Sequence, residues 1–408
     1  MNRTTKITLT TVSAIIVLAG TAVCVIRWQA WFGNPAEKPY TVSNEPHNIV
    51  LTYGENASSS RIVSWRAGSE LQESDVQLLS WQSRDTLHIP AEGCIVESRA
   101  GEAAYYRSRL DTLRPGNYSY RCSTGDVYSE WYPVFVADKS DRLRMQEFLL
   151  FGDIQDKSGE ASAEMFNKAF TKVQTTGSSL SGVLFAGDII ERPTDEYWQL
   201  FFSSFSDRQA TIPVIAATGN HEYLKGVRKK LDLRWTHIFG NPQNGPERFK
   251  ETTYYIDFPL CRFIVLDTDG MQVMSDYTVM QTWLDKILEA RKGVWKIVVM
   301  HHPVYAAGKG RDNPLIRFAL RRTLRKADVV FCGHDHNYMR LTEKIGKPLY
   351  ILTNSSEKFY VPKTTLVADC HAAYLRFYED VKIWSDSISI DTWNVEDDVL
   401  FDHVTICK

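Results

Sequence analysis

The chain has 408 residues, of which 44% are apolar and 24% charged, and its formal net charge is −2. That length buries a substantial core and accommodates two or more domains, and the composition is that of an ordinary globular protein. With near-neutral charge and no long basic run, nothing in the chain points to a nucleic-acid partner.

Arg3 and Lys6 precede an uncharged apolar run from Ile7 to Ile26, followed by Arg27, Trp28, Trp31 and Phe32. About twenty such residues span a bilayer as a helix, and the aromatic flank matches an interfacial belt. The run therefore predicts an N-terminal membrane anchor over 1–33, with a cleaved signal peptide as the rival reading. Positive charge at the start predicts an exported body in the cell envelope, periplasmic or extracellular. Residues 34–45, with Pro35 and Pro39, read as a linker.

From Pro46 to about Ala137 short alternating strands predict an all-β sandwich: Ile49–Tyr53, Arg61–Trp65, Ala103–Leu110, Tyr118–Cys122 and Trp131–Val136. From residue 145 to 408 apolar strands alternate with helical patterns at Ala161–Val173, Thr194–Phe205, Tyr277–Ala290 and Pro314–Lys326, which predicts an α/β domain. The tail returns to strands from Tyr350 onward. Seven cysteines occur without a Cys-x-x-Cys pair, which argues against a zinc knuckle. Cys94 with Cys122, and Cys370 with Cys407, are candidate disulfides if the body is exported.

Five apolar runs end in residues of ligand type. Phe148–Phe151 leads into Gly152-Asp153-Ile154-Gln155, Val183–Ala186 into Gly187-Asp188, and Pro213–Thr218 into Gly219-Asn220-His221-Glu222. Ile297–Met300 leads into His301-His302-Pro303, and Val329–Cys332 into Gly333-His334-Asp335-His336. Singly each has a plainer reading: Asp153 as a helix cap, Asp188 or Asn220 as a turn former, His301 as a packed imidazole. Together they offer oxygen and imidazole donors without thiolate, a set suited to first-row metals. In open α/β sheets ligands collect beyond the carboxyl ends of strands.

The order Gly-Asp-x-Gln, Gly-Asp, Gly-Asn-His-Glu, His-His-Pro, Gly-His-x-His resembles the calcineurin-like metallophosphoesterases. Val63-Ser64-Trp65 and Leu113–Gly116 resemble the N-terminal domain of purple acid phosphatases, and Gly333–Arg340 is similar to their Gly-His-x-His-x-Tyr-Glu-Arg. The resemblance implies a metallophosphoesterase β-sandwich core flanked by helices, preceded by a fibronectin-III-like sandwich. It implies two divalent or trivalent ions, iron, manganese or zinc. One would be held by Asp153, Asp188 and His336, the other by Asp188, Asn220, His301 and His334, with Asp188 shared. His221 would face substrate, steadied by Glu222, with His302 and Arg340 as candidate substrate contacts. Lys309 and Arg311 read more readily as a solvated loop.

Two positions depart from the family pattern. Gln155 stands where many metallophosphoesterases carry histidine, and its carbonyl oxygen is the candidate ligand there. Glu191 stands where purple acid phosphatases carry the tyrosine whose bond to ferric iron gives their colour, so the chain is expected to be colourless. The implied reaction is hydrolysis of a phosphomonoester by hydroxide shared between two metals, attacking phosphorus in line with the leaving alcohol. A phosphodiesterase or nucleotide pyrophosphate hydrolase is the nearest alternative enzyme. An inactive envelope module with structural metals is the alternative from another class.

Overall fold

A computed structural model describes residues 3–138, 144–175, 177, 179–343 and 348–408, with the side chains of residues 3–10 outside that description. Arg3 and Lys6 of the N-terminal charge pattern therefore lie outside the described side chains. A single helix covers Arg3–Phe32, and its Thr11–Phe32 stretch has a mean hydropathy of 1.9 with none of it buried in the protein. Length and hydropathy suit it to a bilayer, as an anchor or as a signal segment.

The C-terminal part is two sheets packed face to face. One runs, in spatial order, Leu400–Cys407, Ser387–Asn394, Phe377–Ile383, Gln146–Phe151, Gly182–Phe185 and Val214–Ala216, and then continues into four N-terminal strands. The other has seven strands centred on Cys261–Leu266, Trp295–Met300 and Val329–Cys332. Alternate residues of both sheets, among them Phe148, Leu150, Phe263, Val299 and Phe331, form the core between them. Alternation of side chains across a strand lets each sheet bury both faces. The outer face of the first sheet takes helices Glu160–Thr175 and Asp195–Phe205, and that of the second takes Met274–Glu289 and Pro314–Leu324.

The Glu160–Thr175 helix illustrates why these segments are helical. Met165, Phe166, Ala169, Phe170 and Val173 recur at helical spacing and are all buried. The Asp156 carboxylate accepts from the amides of Ser158 and Ser162, satisfying donors at the helix start. Phe166 stacks edge-on against Phe151 and Phe205. Truncating it to alanine would cost about 3–5 kcal/mol.

The N-terminal strands also form two sheets. His47–Tyr53, Arg61–Arg66, Gly101–Leu110 and Glu92–Ser98 face a second sheet built on Ser74–Ser80 and Gly116–Thr124. Trp65, Tyr106, Tyr120 and Val134 fill the space between. Ser74–Ser80, Thr86–Pro90 and Glu92–Ser98 are strands beyond the five expected from the sequence. Thr52 pairs in parallel with Val214, so this region shares a sheet with the C-terminal part.

Residues 34–45 differ from the expected linker. Glu37 receives both terminal nitrogens of Arg234, at 2.6 and 2.9 Å, and its oxygens also take Arg99 and the Asp195 amide. Its side chain is 2% exposed and that of Arg234 1%. Arg99 also donates to the Pro35 carbonyl, and the Tyr40 amide to the Ala100 carbonyl. Proline suggested a spacer, but buried charge-assisted bonds bind this segment to both halves of the body. All seven cysteines are free, so neither candidate disulfide is present. Cys94 instead lies 3.3 Å from His237 Nδ1, and Cys122 is buried in the N-terminal core.

Candidate metal centre

Five strand ends converge at one edge of the two facing sheets. Gln146–Phe151, Gly182–Phe185 and Val214–Ala216 deliver Asp153, Asp188 and Asn220 from one sheet. Trp295–Met300 and Val329–Cys332 deliver His301, His334 and His336 from the other. Each chain must turn sharply where it leaves its strand. Asp153, Asp188, His334 and His336 have φ of 54°, 52°, 78° and 48°, a left-handed conformation that residues other than glycine rarely adopt. Such strain, about 1–3 kcal/mol per residue, persists where the surroundings over-determine it.

Two glycines make the approach possible. Gly187 has φ of 85°, and a Cβ there would lie 2.6 Å from the His301 ring. A Cβ on Gly219 would lie 2.2 Å from the Asp188 amide nitrogen. Glu222, fully buried, accepts from the amides of Asp188, Ile189, Ile190 and Gly219 at 2.6–3.2 Å. Its carboxylate thus pins the loop that carries Asp188. It was expected to steady His221 and does not. His221 Nδ1–H instead donates to the Glu191 carbonyl at 2.5 Å, which fixes the tautomer and leaves Nε2 toward the cavity.

The donors fall into two groups around Asp188. His301 Nε2 lies 3.3 Å from Asp188 Oδ2, 3.4 Å from Asn220 Oδ1 and 3.2 Å from His334 Nδ1. His301 Nδ1–H donates to the Ala186 carbonyl at 3.0 Å, which turns Nε2 toward the other donors. In the second group, His336 Nε2 lies 3.9 Å from Asp153 Oδ1 and 3.2 Å from the Gln155 amide nitrogen. His336 Nδ1 is held by Asn354 Oδ1 and Ser356 Oγ, each at 3.1 Å.

Two observations show that a cation fits. Ligand atoms of Asp153, Asp188 and His301 lie within 4.8 Å of one another. Asp153 Oδ1 is buried and accepts no hydrogen bond.

The electrostatics agree. Burial pushes Asp153 up to about 8, against the pull of His301 and with added repulsion from Asp188. Burial opposes the charge on His301 too, yet Asp188 and Asp153 raise that imidazole to about 10. Asp188 is held well below the carboxylate range by His301 and His221 despite its burial. The negative potential that draws a proton onto His301 is the one that attracts a metal ion. Burial lowers His336 to about 3 and His302 to about 4, and drives His334 well down, so these rings are neutral, the ligand-competent form.

Three charged or polar neighbours change the expected picture. Lys358, unremarkable in the sequence, brings Nζ to 3.4 Å from His221 Nε2 and 3.1 Å from the Gln155 amide. No described carboxylate lies within ion-pair distance of it, and it lines a cavity of about 410 Å³ with Gln155, Asp156 and Glu191. Arg311, expected on a solvated loop, places Nη2 2.7 Å from His334 Nε2 and 3.0 Å from its carbonyl. A guanidinium only donates, so Nε2 accepts and Nδ1 carries the proton. His334 can therefore serve a cation through Nδ1 only when Arg311 turns aside. Arg340 is not brought to the site: it forks onto Asp402 at 2.7 and 3.2 Å. His302 stands 4.1 Å from the His334 ring, with Nδ1 bonded to Thr268 and near Asp269. Lys309 has an exposed side chain and bonds through its amide to the Val361 carbonyl.

Residues 147–338 match the family model of the calcineurin-like phosphoesterases. A purple acid phosphatase of Glycine max is 24% identical over 333 residues, covering 76% of this chain and 68% of that protein. Tartrate-resistant acid phosphatase type 5 of Sus scrofa is 25% identical over 263 residues, covering 56% and 73% respectively. Among solved structures, purple acid phosphatase PPD1 of Lupinus luteus seeds superposes with a TM-score of 0.74 at 16% identity, covering 89% of this chain and 74% of that one.

Proposed function

The chain is a metallophosphoesterase of the purple acid phosphatase type, a hydrolase acting on phosphoric esters, and from that premise we propose that it cleaves phosphate monoesters. The observation that carries the reading is the convergence of Asp153, Asp188, Asn220 and His301 beside the Lys358 ammonium, which has no described carboxylate at ion-pair distance.

Asp153, Gln155, Asp188 and His336 would hold one ion, and Asp188, Asn220, His301 and His334 the other. When bound, such a pair supplies hydroxide near neutral pH and neutralises phosphate oxygens. The chain supplies the rest. Lys358 Nζ, 3.4 Å from His221 Nε2, fixes a terminal phosphate oxygen as a charge-assisted donor, and His221 binds the leaving oxygen once Nε2 carries a proton. A monoester dianion exploits that ammonium more fully than a diester monoanion, which favours monoesterase activity. Glu222 keeps the Asp188 loop in place, and Arg311 is poised to exchange His334 for a substrate oxygen. We assign residues 46–137 to a fibronectin-III-like sandwich, 145–408 to the catalytic domain and 1–33 to an anchor that holds the body at the outer face of a membrane. A binding module with structural metals is favoured only by the Arg311 bond to His334.

The test is the rate on p-nitrophenyl phosphate against that on bis(p-nitrophenyl) phosphate, for the wild type and His221→Ala. The monoester should be cleaved faster, and the variant should lose about 10²–10⁴-fold on it, the range for a positioned acid–base group. A faster diester, or a fully active variant, overturns the assignment.

A further inference from the structure

The segment that follows the apolar helix lines a small cavity beside Asn220 and His221 of the candidate centre. Trp28, Trp31 and Phe32 close the helix with the aromatic residue types that favour lipid headgroups. Gly33 follows, and then Asn34 fastens to the catalytic part. Its Nδ2 donates to the Lys225 carbonyl at 2.9 Å, and its Oδ1 accepts from the Lys225 amide at 2.8 Å. Gly33, Asn34 and Pro35 share a small cavity with Arg192, Asn220 and His221. The next bonds, from Arg99 and Arg234 to Pro35 and Glu37, remove the slack that a linker would provide.

The loop that grips Asn34 has the surface a bilayer would meet. Tyr223–Leu224 and Lys230–Leu231 pair as a short hairpin whose tip, Val227, is 93% exposed. Arg228 and Lys230 beside it are exposed. The Lys229 amide and carbonyl bond to the Gln272 side chain, which holds the hairpin against the body. An apolar point ringed by cations suits anionic headgroups, which attract each nearby lysine or arginine by about 1 kcal/mol.

We infer that the substrates of this site are phosphate monoesters carried by lipids of the bilayer that holds the Arg3–Phe32 helix, with the Lys225–Lys230 tip resting on the headgroups. The inference rests on the phosphomonoesterase reading and narrows it. The ester is presented at headgroup height, and the site is fixed at that height by the Asn34 and Glu37 bonds.

The experiment uses the full chain, metal-loaded, in phosphatidylcholine vesicles containing phosphatidic acid, with p-nitrophenyl phosphate as the soluble comparison. A flexible Gly-Ser insert between Phe32 and Gly33 keeps every contact within the body and frees the body from the helix; about twenty residues reach roughly 25 Å. The insert should lower phosphate release from phosphatidic acid by about tenfold or more as effective concentration falls, and leave the soluble rate unchanged. Arg228→Glu with Lys230→Glu should act in the same direction, and vesicle co-sedimentation of the insert protein after proteolytic release of its body should fall with them. An insert that leaves the lipid rate unchanged overturns the inference. So does soluble hydrolysis with no release from phosphatidic acid. Failure on both substrates overturns the phosphatase reading and this inference with it.

Discussion

The His301 half and the Gln155 half of the metal centre are built from the same kind of strand end, yet their surroundings differ. Around His301, the imidazole has its outer nitrogen tied to a strand carbonyl, and Asp188 and Asn220 come from adjacent strands. The donors there are placed by strand ends, a backbone carbonyl and the Glu222 carboxylate that pins the Asp188 loop. Around Gln155, the donors are a carboxylate, an amide and His336, and an unneutralised lysine stands beside the amide. An amide oxygen is a weaker donor than imidazole toward first-row metals, and a nearby ammonium repels a second cation. The two halves should therefore fill unequally, with the Gln155 half the weaker and Lys358 sharing its task of neutralising phosphate.

Substituting Asp188 removes the group both halves use. Asp188→Asn should abolish hydrolysis by about a thousandfold or more, and calorimetric titration should lose both binding events. One event surviving at full strength would show that the halves are independent. Gln155→His should tighten the weaker event by about ten- to a hundredfold, bringing the two halves closer together in the same titration. Equal affinities in the wild type would break the comparison outright. Lys358→Met should raise KM for a monoester by about tenfold, the scale of one lost charge-assisted bond, and leave metal affinity in the His301 half unchanged. Arg311→Leu is the smallest change expected. It frees His334 Nε2 of a donor, so metal binding at the His301 half should strengthen by about two- to tenfold, consistent with loss of one competing hydrogen bond.

The architecture of the centre was legible because strand-then-ligand is a local pattern. Asp153, Asp188, Asn220, His301, His334 and His336 each follow an apolar run, and the fold needs only to align those runs. What the sequence hid lies in contacts made across long separations. Lys358 sits in a segment with no motif and reaches His221 across 137 positions. Arg311 looked like loop surface and reaches His334. The family resemblance implied that Glu222 steadies His221, but consecutive residues diverge and its carboxylate turns to four amides instead. Glu37 stands between two prolines, a spacer composition, and its burial comes from Arg234 almost two hundred positions away. The N-terminal strands were legible as strands, but not their continuation into the catalytic sheet through Thr52 and Val214.

The four left-handed residues of the centre carry one more consequence. Their unfavourable torsions are set while the chain folds, so the loops are already shaped when an ion arrives, and capture need not rearrange the main chain. The cost falls on the empty protein, which carries these torsions with no ion to offset them. Loading with metal should then act as a rivet, lifting the melting temperature in proportion to the logarithm of ion concentration, and a chelator should loosen those loops first and leave the helices behind them intact.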